Sequence, residues 1–314
     1  MSERPRFCKV DNAIILAAGI GSRFTPISLS KPKGLVEVDG VPLVERQIRH
    51  LLEADVTDIT VVTGYLAEQF DYLKRKFGVK TIFNPDYAVK NNLASLYCVK
   101  DLLRNTYILS SDNYMSRNIY SAYEPHAWYS CVFADGDTKE WCVDADDDGR
   151  ITDVSVGGNG KWYMYGSVFF DAAFSAKFVP LLERYANMSS WDGKYWEDIL
   201  AAHTDDLEMY IRKFDGNVVY EFENLEELRV FDRSYLSDSR DPYIAEIKRL
   251  MSVGEADITN YAPYDSRNES KVFRFSIGQR SYAAKLHSDT KKYGFENTLP
   301  RLYKGALLTV YDLG

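Results

Sequence analysis

The stretch Asn12-Ala-Ile-Ile-Leu-Ala-Ala-Gly19-Ile-Gly21-Ser22-Arg23-Phe24 decides the fold. Its first seven residues are a near-continuous apolar run, the pattern of a strand buried on both faces, and two glycines follow at once. Such a strand belongs inside a parallel sheet with helices on both sides. Working outward, residues 42–54 place Leu43, Val44, Ile48, Leu51 and Leu52 at helical spacing, and Ile59-Thr-Val-Val-Thr63 reads as the next strand. Strand, loop, helix and strand make one βαβ unit. The alternation predicts a helix over 66–77, a strand over 80–84, a helix over 93–103, and a strand from Thr106 that ends at Asp112. The reading is a doubly wound, mostly parallel α/β sheet.

From 128 to 170 the text turns aromatic and β-prone, broken by Asp and Gly clusters, which predicts antiparallel strands covering the carboxyl edge of the sheet and its active site. Helices are expected over 172–185 and 191–202, and strands within 207–219. The first domain is expected to close at residue 236. Residues 237–314 then read as a small α+β extension, with a helix over 243–251 and β-like text over 271–286.

The 314 residues are 46% hydrophobic, enough for a sizeable core without a covalent staple. Four cysteines, Cys8, Cys98, Cys131 and Cys142, stand far apart with no CxxC pair, and the chain opens without a basic-then-apolar leader. A reduced, cytoplasmic protein is expected. No apolar run approaches the roughly 20 residues that cross a bilayer. The net charge of −8 argues against a nucleic-acid partner, so the basic residues Arg23, Lys31 and Lys33 suit a small anion.

Glycines directly after a buried strand let the backbone close around phosphates, and Arg23 and Lys33 add fixed positive charge. Leu16, Ala17, Ala18, Gly19, Gly21 and Ser22 are therefore candidate contacts of a triphosphate cradle. The spacing is neither a Walker loop, since no Gly-Lys-Ser/Thr follows, nor a dinucleotide fingerprint, since position 24 is Phe. Asp112, at the end of a sheet strand, is placed where α/β folds bind ligands and can hold Mg²⁺, although a strand-terminal Asp also caps helices. Glu197 and Asp198 open a helix, where acids also serve to offset the dipole. The four histidines lie in no nucleophile–base phrase, so carboxylate and phosphate oxygens around Mg²⁺ are expected rather than zinc.

Several phrases together resemble one family. They are the Gly19 loop with Lys33; Phe83-Asn-Pro-Asp with Asn91-Asn92-Leu-Ala-Ser95-Leu96; Ser-Ser-Asp112-Asn113; Glu140-Trp141; and Tyr195-Trp196-Glu197. They resemble the bacterial CTP:phosphocholine cytidylyltransferases, within the sugar-nucleotide pyrophosphorylase superfamily, over residues 12–232. The resemblance implies a Rossmann-like nucleotidyltransferase fold and transfer of CMP from CTP to a phosphorylated or phosphonylated amino-alcohol. It implies that Arg23 and the glycine loop hold the triphosphate, that Lys33 neutralises charge during transfer, and that Asp112 and Glu197 hold the metal, with Asp198 as competitor for Glu197. Asn91, Asn92 and Ser95 become nucleotide contacts. Trp141, Glu140, Tyr165, Tyr195 and Trp196 become candidates for the acceptor, through aromatic faces that attract a quaternary ammonium.

Residues 260–286, with Asn268-Glu-Ser270 and Ser281-Tyr-Ala-Ala-Lys285, faintly resemble the opening strands of choline-kinase-like enzymes, without a kinase's HxD phrase. A truncated kinase-like lobe or an interaction module is expected there. Two rival readings stand at this point: a sugar-1-phosphate nucleotidyltransferase using UTP or dTTP, and a nucleotide-binding regulatory subunit. The oligomeric state stays open.

Overall fold

A computed structural model describes residues 7–264, 271–287 and 302–314. By packing, the chain forms two compact units: residues 1–19 with 34–221, and residues 20–33 with 222–314. The segment 20–33 thus packs with residues from 222 onward.

The first unit is built on a nine-stranded mixed sheet. Its elements are β1 (Asn12–Ala17), α1 (Leu43–Glu53), β2 (Ile59–Thr63), α2 (Tyr72–Phe77), β3 (Lys80–Phe83), α3 (Asn92–Tyr97), β4 (Thr106–Ser110), β5 (Trp128–Phe133), β6 (Asp137–Ala145), β7 (Ile151–Asn159), β8 (Trp162–Phe170), α4 (Ala172–Ala186), α5 (Glu197–Ala202) and β9 (Tyr210–Lys213). The main path runs β7-β6-β8-β4-β1-β2-β3. β1 is parallel to β2 and to β4, in register Leu16 with Val62 and Leu16 with Ser110. β8 joins antiparallel to β4, so the expected antiparallel strands are part of the same sheet.

Both faces of β1 are buried, as its apolar run requires. Ile15 packs on one side with Val44, Ile48 and Leu51 of α1, while Ile14 packs on the other with Leu93, Phe178 and Ile199. Each such buried side chain contributes about 1.5–3 kcal/mol. α4 starts where Asp171 accepts from Phe174 N, a side-chain cap. The helices expected over 93–103 and 191–202 are shorter than predicted. The second is interrupted by Gly193 at φ 83°, a left-handed turn that a helix cannot accommodate.

The second unit holds α6 (Leu225–Phe231), α7 (Pro242–Met251) and an antiparallel sheet of β10 (Ile258–Pro263), β11 (Val272–Ile277), β12 (Arg280–Leu286), β13 (Leu302–Lys304) and β14 (Leu308–Asp312), in the order β10-β11-β12-β14-β13. Residues 268–270 lie outside the described residues. Buried Arg229 ties α6 into this unit: Nε donates to Tyr235 O at 3.2 Å, Nη1 to Ile258 O at 2.8 Å and Nη2 to Glu255 O at 3.1 Å. These bonds bring residues before 236 into the extension. No helix among the described residues is long and apolar enough to cross a membrane.

Candidate active site

The parallel register sets the site in the first unit. Leu16 opposes Ser110, so the Ala18–Gly19 turn and Asp112 leave the carboxyl ends of neighbouring strands side by side. Two backbone bonds hold this edge: Ser111 N to Leu16 O at 3.0 Å and Tyr65 N to Ala18 O at 3.1 Å. Gln47 of α1, fully buried, donates through Nε2 to Ser110 O and to Asn113 O, both at 2.8 Å. It thereby fixes the backbone on both sides of Asp112. The sequence did carry a signal for it, because a glutamine three residues after Val44 sits on the apolar face of α1.

Leu16 is half-buried, and Ala17 and Ala18 are buried. The glycines around the turn differ in what demands them. A Cβ on Gly64 would lie 2.5 Å from Tyr87 Cβ and 2.8 Å from Ala18 O, and one on Gly34 would lie 2.6 Å from Ser111 Oγ. These two are required by packing. A Cβ on Gly19 meets nothing within 4 Å, so the chain itself does not demand glycine there.

In the second unit, Gly21 takes φ 65°, and a Cβ there would press on Lys33 Cβ at 3.3 Å. Ser22 and Arg23 form a short 3-10 turn that closes with Phe24 N on Gly21 O at 2.8 Å, anchored by the buried Phe24 ring. Exposed Arg23 is paired with the Glu223 carboxylate.

Asn91, Asn92 and Ser95 are engaged within the protein. Asn91 Oδ1 caps α3 by accepting from Asn92 N at 2.9 Å, and its Nδ2 donates to Gly193 O at 3.3 Å. Asn92 Oδ1 accepts from Trp196 N at 3.0 Å, and its Nδ2 donates to Glu197 Oε2 at 3.2 Å. Ser95 is buried, and its hydroxyl accepts from Asn84 Nδ2 at 3.0 Å. The Asn91-Asn92 phrase thus clamps the segment 193–197.

Glu197 is buried, and its other oxygen accepts from Tyr129 Oη at 3.1 Å. Burial pushes its carboxyl up to about 7; the helix-terminal backbone and the Asn92 and Tyr129 donors offset only part of that. Asp198 is committed locally, with Oδ2 accepting from Tyr195 N at 2.8 Å and Oδ1 from Lys194 Nζ at 3.0 Å. Tyr129, on β5, is a residue the sequence reading missed; nothing distinguishes it from other strand aromatics in one dimension.

The aromatic candidates separate by burial. The Trp141 and Tyr195 rings meet edge to face, with centroids 6.4 Å apart, and Tyr195 is 43% exposed. Trp196, expected at the acceptor, is a core ring instead: it stacks on Tyr129 at 5.7 Å and meets Phe170 at 5.2 Å. Tyr165 is half-buried, and its hydroxyl accepts from Glu221 N at 2.6 Å. Glu140 is exposed beside Trp141. Among the described residues, no three His, Cys, Asp or Glu side chains gather to hold a metal unaided.

A glycine turn and an acid at neighbouring parallel strand ends, on a mixed sheet extended by antiparallel strands, define a nucleotidyltransferase. Residues 13–112 match the MobA-like NTP transferase domain. The choline-phosphate cytidylyltransferase of Streptococcus pneumoniae is 36% identical over 217 residues, which cover 69% of this chain and 95% of that protein. The 2-aminoethylphosphonate cytidylyltransferase of Lancefieldella rimae is 32% identical over 72% of this chain and 93% of its own length. A solved structure of the S. pneumoniae CTP:phosphocholine cytidylyltransferase superposes with TM-score 0.69 at 35% identity, over 71% of this chain and 98% of that one. The inositol-1-phosphate CTP transferase of T. maritima shares the fold, with TM-score 0.56 at 16% identity. The chain belongs to the family of bacterial choline-phosphate and 2-aminoethylphosphonate cytidylyltransferases. It is an enzyme, and about a third of it lies outside the match to the S. pneumoniae protein.

Proposed function

We propose that the enzyme transfers CMP from CTP to phosphocholine. The acceptor's phosphate oxygen attacks the α-phosphorus, a new P–O bond forms, the bond to the bridging oxygen of the β-phosphate breaks, and pyrophosphate leaves with the electron pair. An anionic oxygen is already a nucleophile, so the protein supplies position and charge neutralisation rather than a base. The relatives' chemistry favours this over the sugar-1-phosphate and regulatory readings.

The Trp141–Tyr195 corner carries the choice of acceptor. Aromatic faces attract a quaternary ammonium, whereas a primary ammonium prefers carboxylates. Of the three carboxylates that could serve a primary ammonium, two are already paired with lysines, Asp144 with Lys161 at 2.8 Å and Asp192 with Lys90 at 3.5 Å, while Glu140 is exposed beside Trp141. 2-Aminoethylphosphonate is thereby the second-ranked acceptor.

In this reading Gly19 is glycine so that a phosphate can approach the backbone where no protein atom does, and Gly21, Ser22, Arg23 and Lys33 face the triphosphate. Arg23 exchanges its Glu223 partner for phosphate oxygens. A divalent metal, which enzymes of this kind use, would be Mg²⁺ held by Asp112 and Glu197 with phosphate oxygens. The donor set fits it, since Mg²⁺ is ordinarily held by one or two carboxylates plus phosphates, and a cation offsets the cost of ionising buried Glu197. When bound it supplies neutralisation of triphosphate charge. Asp198, satisfied by its own helix start, is the weaker ligand.

Pyrophosphate release measured with Mg²⁺ and CTP, against phosphocholine, 2-aminoethylphosphonate and glucose 1-phosphate, tests the proposal. Turnover fastest with phosphocholine, and lost in Asp112→Ala with the fold intact, is expected. Turnover only with UTP or dTTP and the sugar phosphate would overturn it.

A further inference from the structure

Residues 20–33 carry Arg23 and Lys33, yet they pack with residues from 222 onward. One contact in that unit is built in a way that a structural cap alone does not need. Asp241, 3% exposed, precedes α7, and its Oδ1 accepts from Tyr243 N at 2.9 Å and Ile244 N at 3.0 Å. That oxygen alone completes the N-cap. The other, Oδ2, accepts from Ser30 Oγ at 2.7 Å, from a residue 211 positions earlier. The carboxylate therefore divides its two oxygens between a helix of the extension and the loop.

The anchor is rigid. Ile244 and Ile247 of α7 are fully buried, and Lys248 Nζ reaches Glu255 Oε2 at 3.0 Å, while Glu255 Oε1 accepts from Ser239 N at 2.6 Å. At the other end, Phe24 and Ile27 are buried, so the loop is fixed at Phe24, Ile27 and Ser30, with Arg23 beside the first of these. A charged acceptor makes the Ser30 bond one of the stronger kind.

We infer that Asp241 is a positioning residue for nucleotidyl transfer: through Ser30 it holds the 20–33 loop in the conformation that takes the triphosphate, so that the C-terminal extension is part of the CTP site's support. The inference rests on the triphosphate role given above to Arg23 and Lys33. It assigns to the extension a task within the main reaction, separate from any kinase-like ancestry.

The test uses the full chain with two variants. Ser30→Ala removes the donor. Asp241→Ser keeps a capping hydroxyl for α7 but removes the carboxylate oxygen to which Ser30 Oγ donates, leaving Ser30 its local bond to Ile27 O at 3.2 Å. Calorimetry should give about tenfold weaker CTP binding in each, with the double variant no worse than either single one. The KM for phosphocholine should stay unchanged, and backbone amides of 20–33 should exchange faster with solvent. Unchanged CTP affinity overturns the inference, as does unchanged amide exchange; faster exchange with wild-type affinity would reduce the contact to a structural one. Because affinity is read without turnover, an unaltered protein that binds CTP but does not use phosphocholine would sink the proposed reaction while leaving this comparison decisive.

Discussion

Asn92 grips the start of α5 from both sides: its Oδ1 accepts from Trp196 N at 3.0 Å while its Nδ2 donates to Glu197 Oε2 at 3.2 Å. With Tyr129 on the other carboxylate oxygen, a single acid is held by two donors from separate parts of the chain. Two expectations follow from that clamp and two from the surrounding site.

Glu197 should make the metal-free protein less stable as pH rises. Burial lifts its folded pKa from the ordinary 4.5 to about 7, so the folded state keeps the proton more tightly than the unfolded one. The contribution of Glu197 to stability is then fully present below pH 4.5 and is lost as pH climbs from 4.5 to 7, by up to about 3 kcal/mol. Glu197→Gln should flatten that slope in urea titrations between pH 5 and 8. Added Mg²⁺ should restore stability to the unaltered protein most strongly at pH 8; a Tm blind to both changes would remove Glu197 from the proposed metal set.

Tyr129→Phe deletes one donor and leaves Glu197 Oε1 without it, in a buried site. The cost should be about 1–3 kcal/mol. Because that donor lowers the Glu197 pKa, its loss should also move the acid limb of the kcat profile to higher pH. A rate–pH curve superimposable on that of the unaltered enzyme would show that Tyr129 merely packs.

Gly19→Ala and Gly64→Ala should fail in opposite ways. The second places a methyl 2.8 Å from Ala18 O and 2.5 Å from Tyr87 Cβ, and should destabilise by about 1–3 kcal/mol. The first meets no protein atom, so its Tm should match the unaltered protein while CTP affinity drops. Normal CTP affinity in a folded Gly19→Ala would remove the backbone turn from the phosphate site.

Trp141→Ala should raise the KM for phosphocholine by about 10-fold, in line with the roughly 1–2 kcal/mol of a partly desolvated cation–π contact, and leave the KM for CTP alone. Trp141→Phe should recover part of the loss. Equal losses with 2-aminoethylphosphonate would point to packing instead of ammonium recognition.

The doubly wound core was legible because its signals are local: the apolar run of β1, the helical spacing of α1 and the strand ending at Asp112 each lie within a dozen residues. The family phrases were legible for the same reason. What stayed hidden depends on distant partners. Trp196 and Tyr195 are neighbours in sequence, yet one is core and the other 43% exposed, and what separates them is the packing of Trp196 against Tyr129, Phe170 and Phe178. Glu197 and Asp198 likewise look interchangeable until the bond from Tyr195 N shows Asp198 engaged within its own turn. The tie between α6 and the strands after it was equally hidden, since Arg229 bonds to backbone 26 and 29 residues further on.

The bond between Ser30 and Asp241 also sets a timetable. A ribosome adding about 5–20 residues per second needs roughly 10–40 s to travel the 211 positions between them. Over that interval the chain makes α1 to α5 and strands β2 to β9 of its sheet, while residue 30 waits for a carboxylate not yet made. The nascent enzyme therefore completes its sheet before it can secure the loop assigned to CTP.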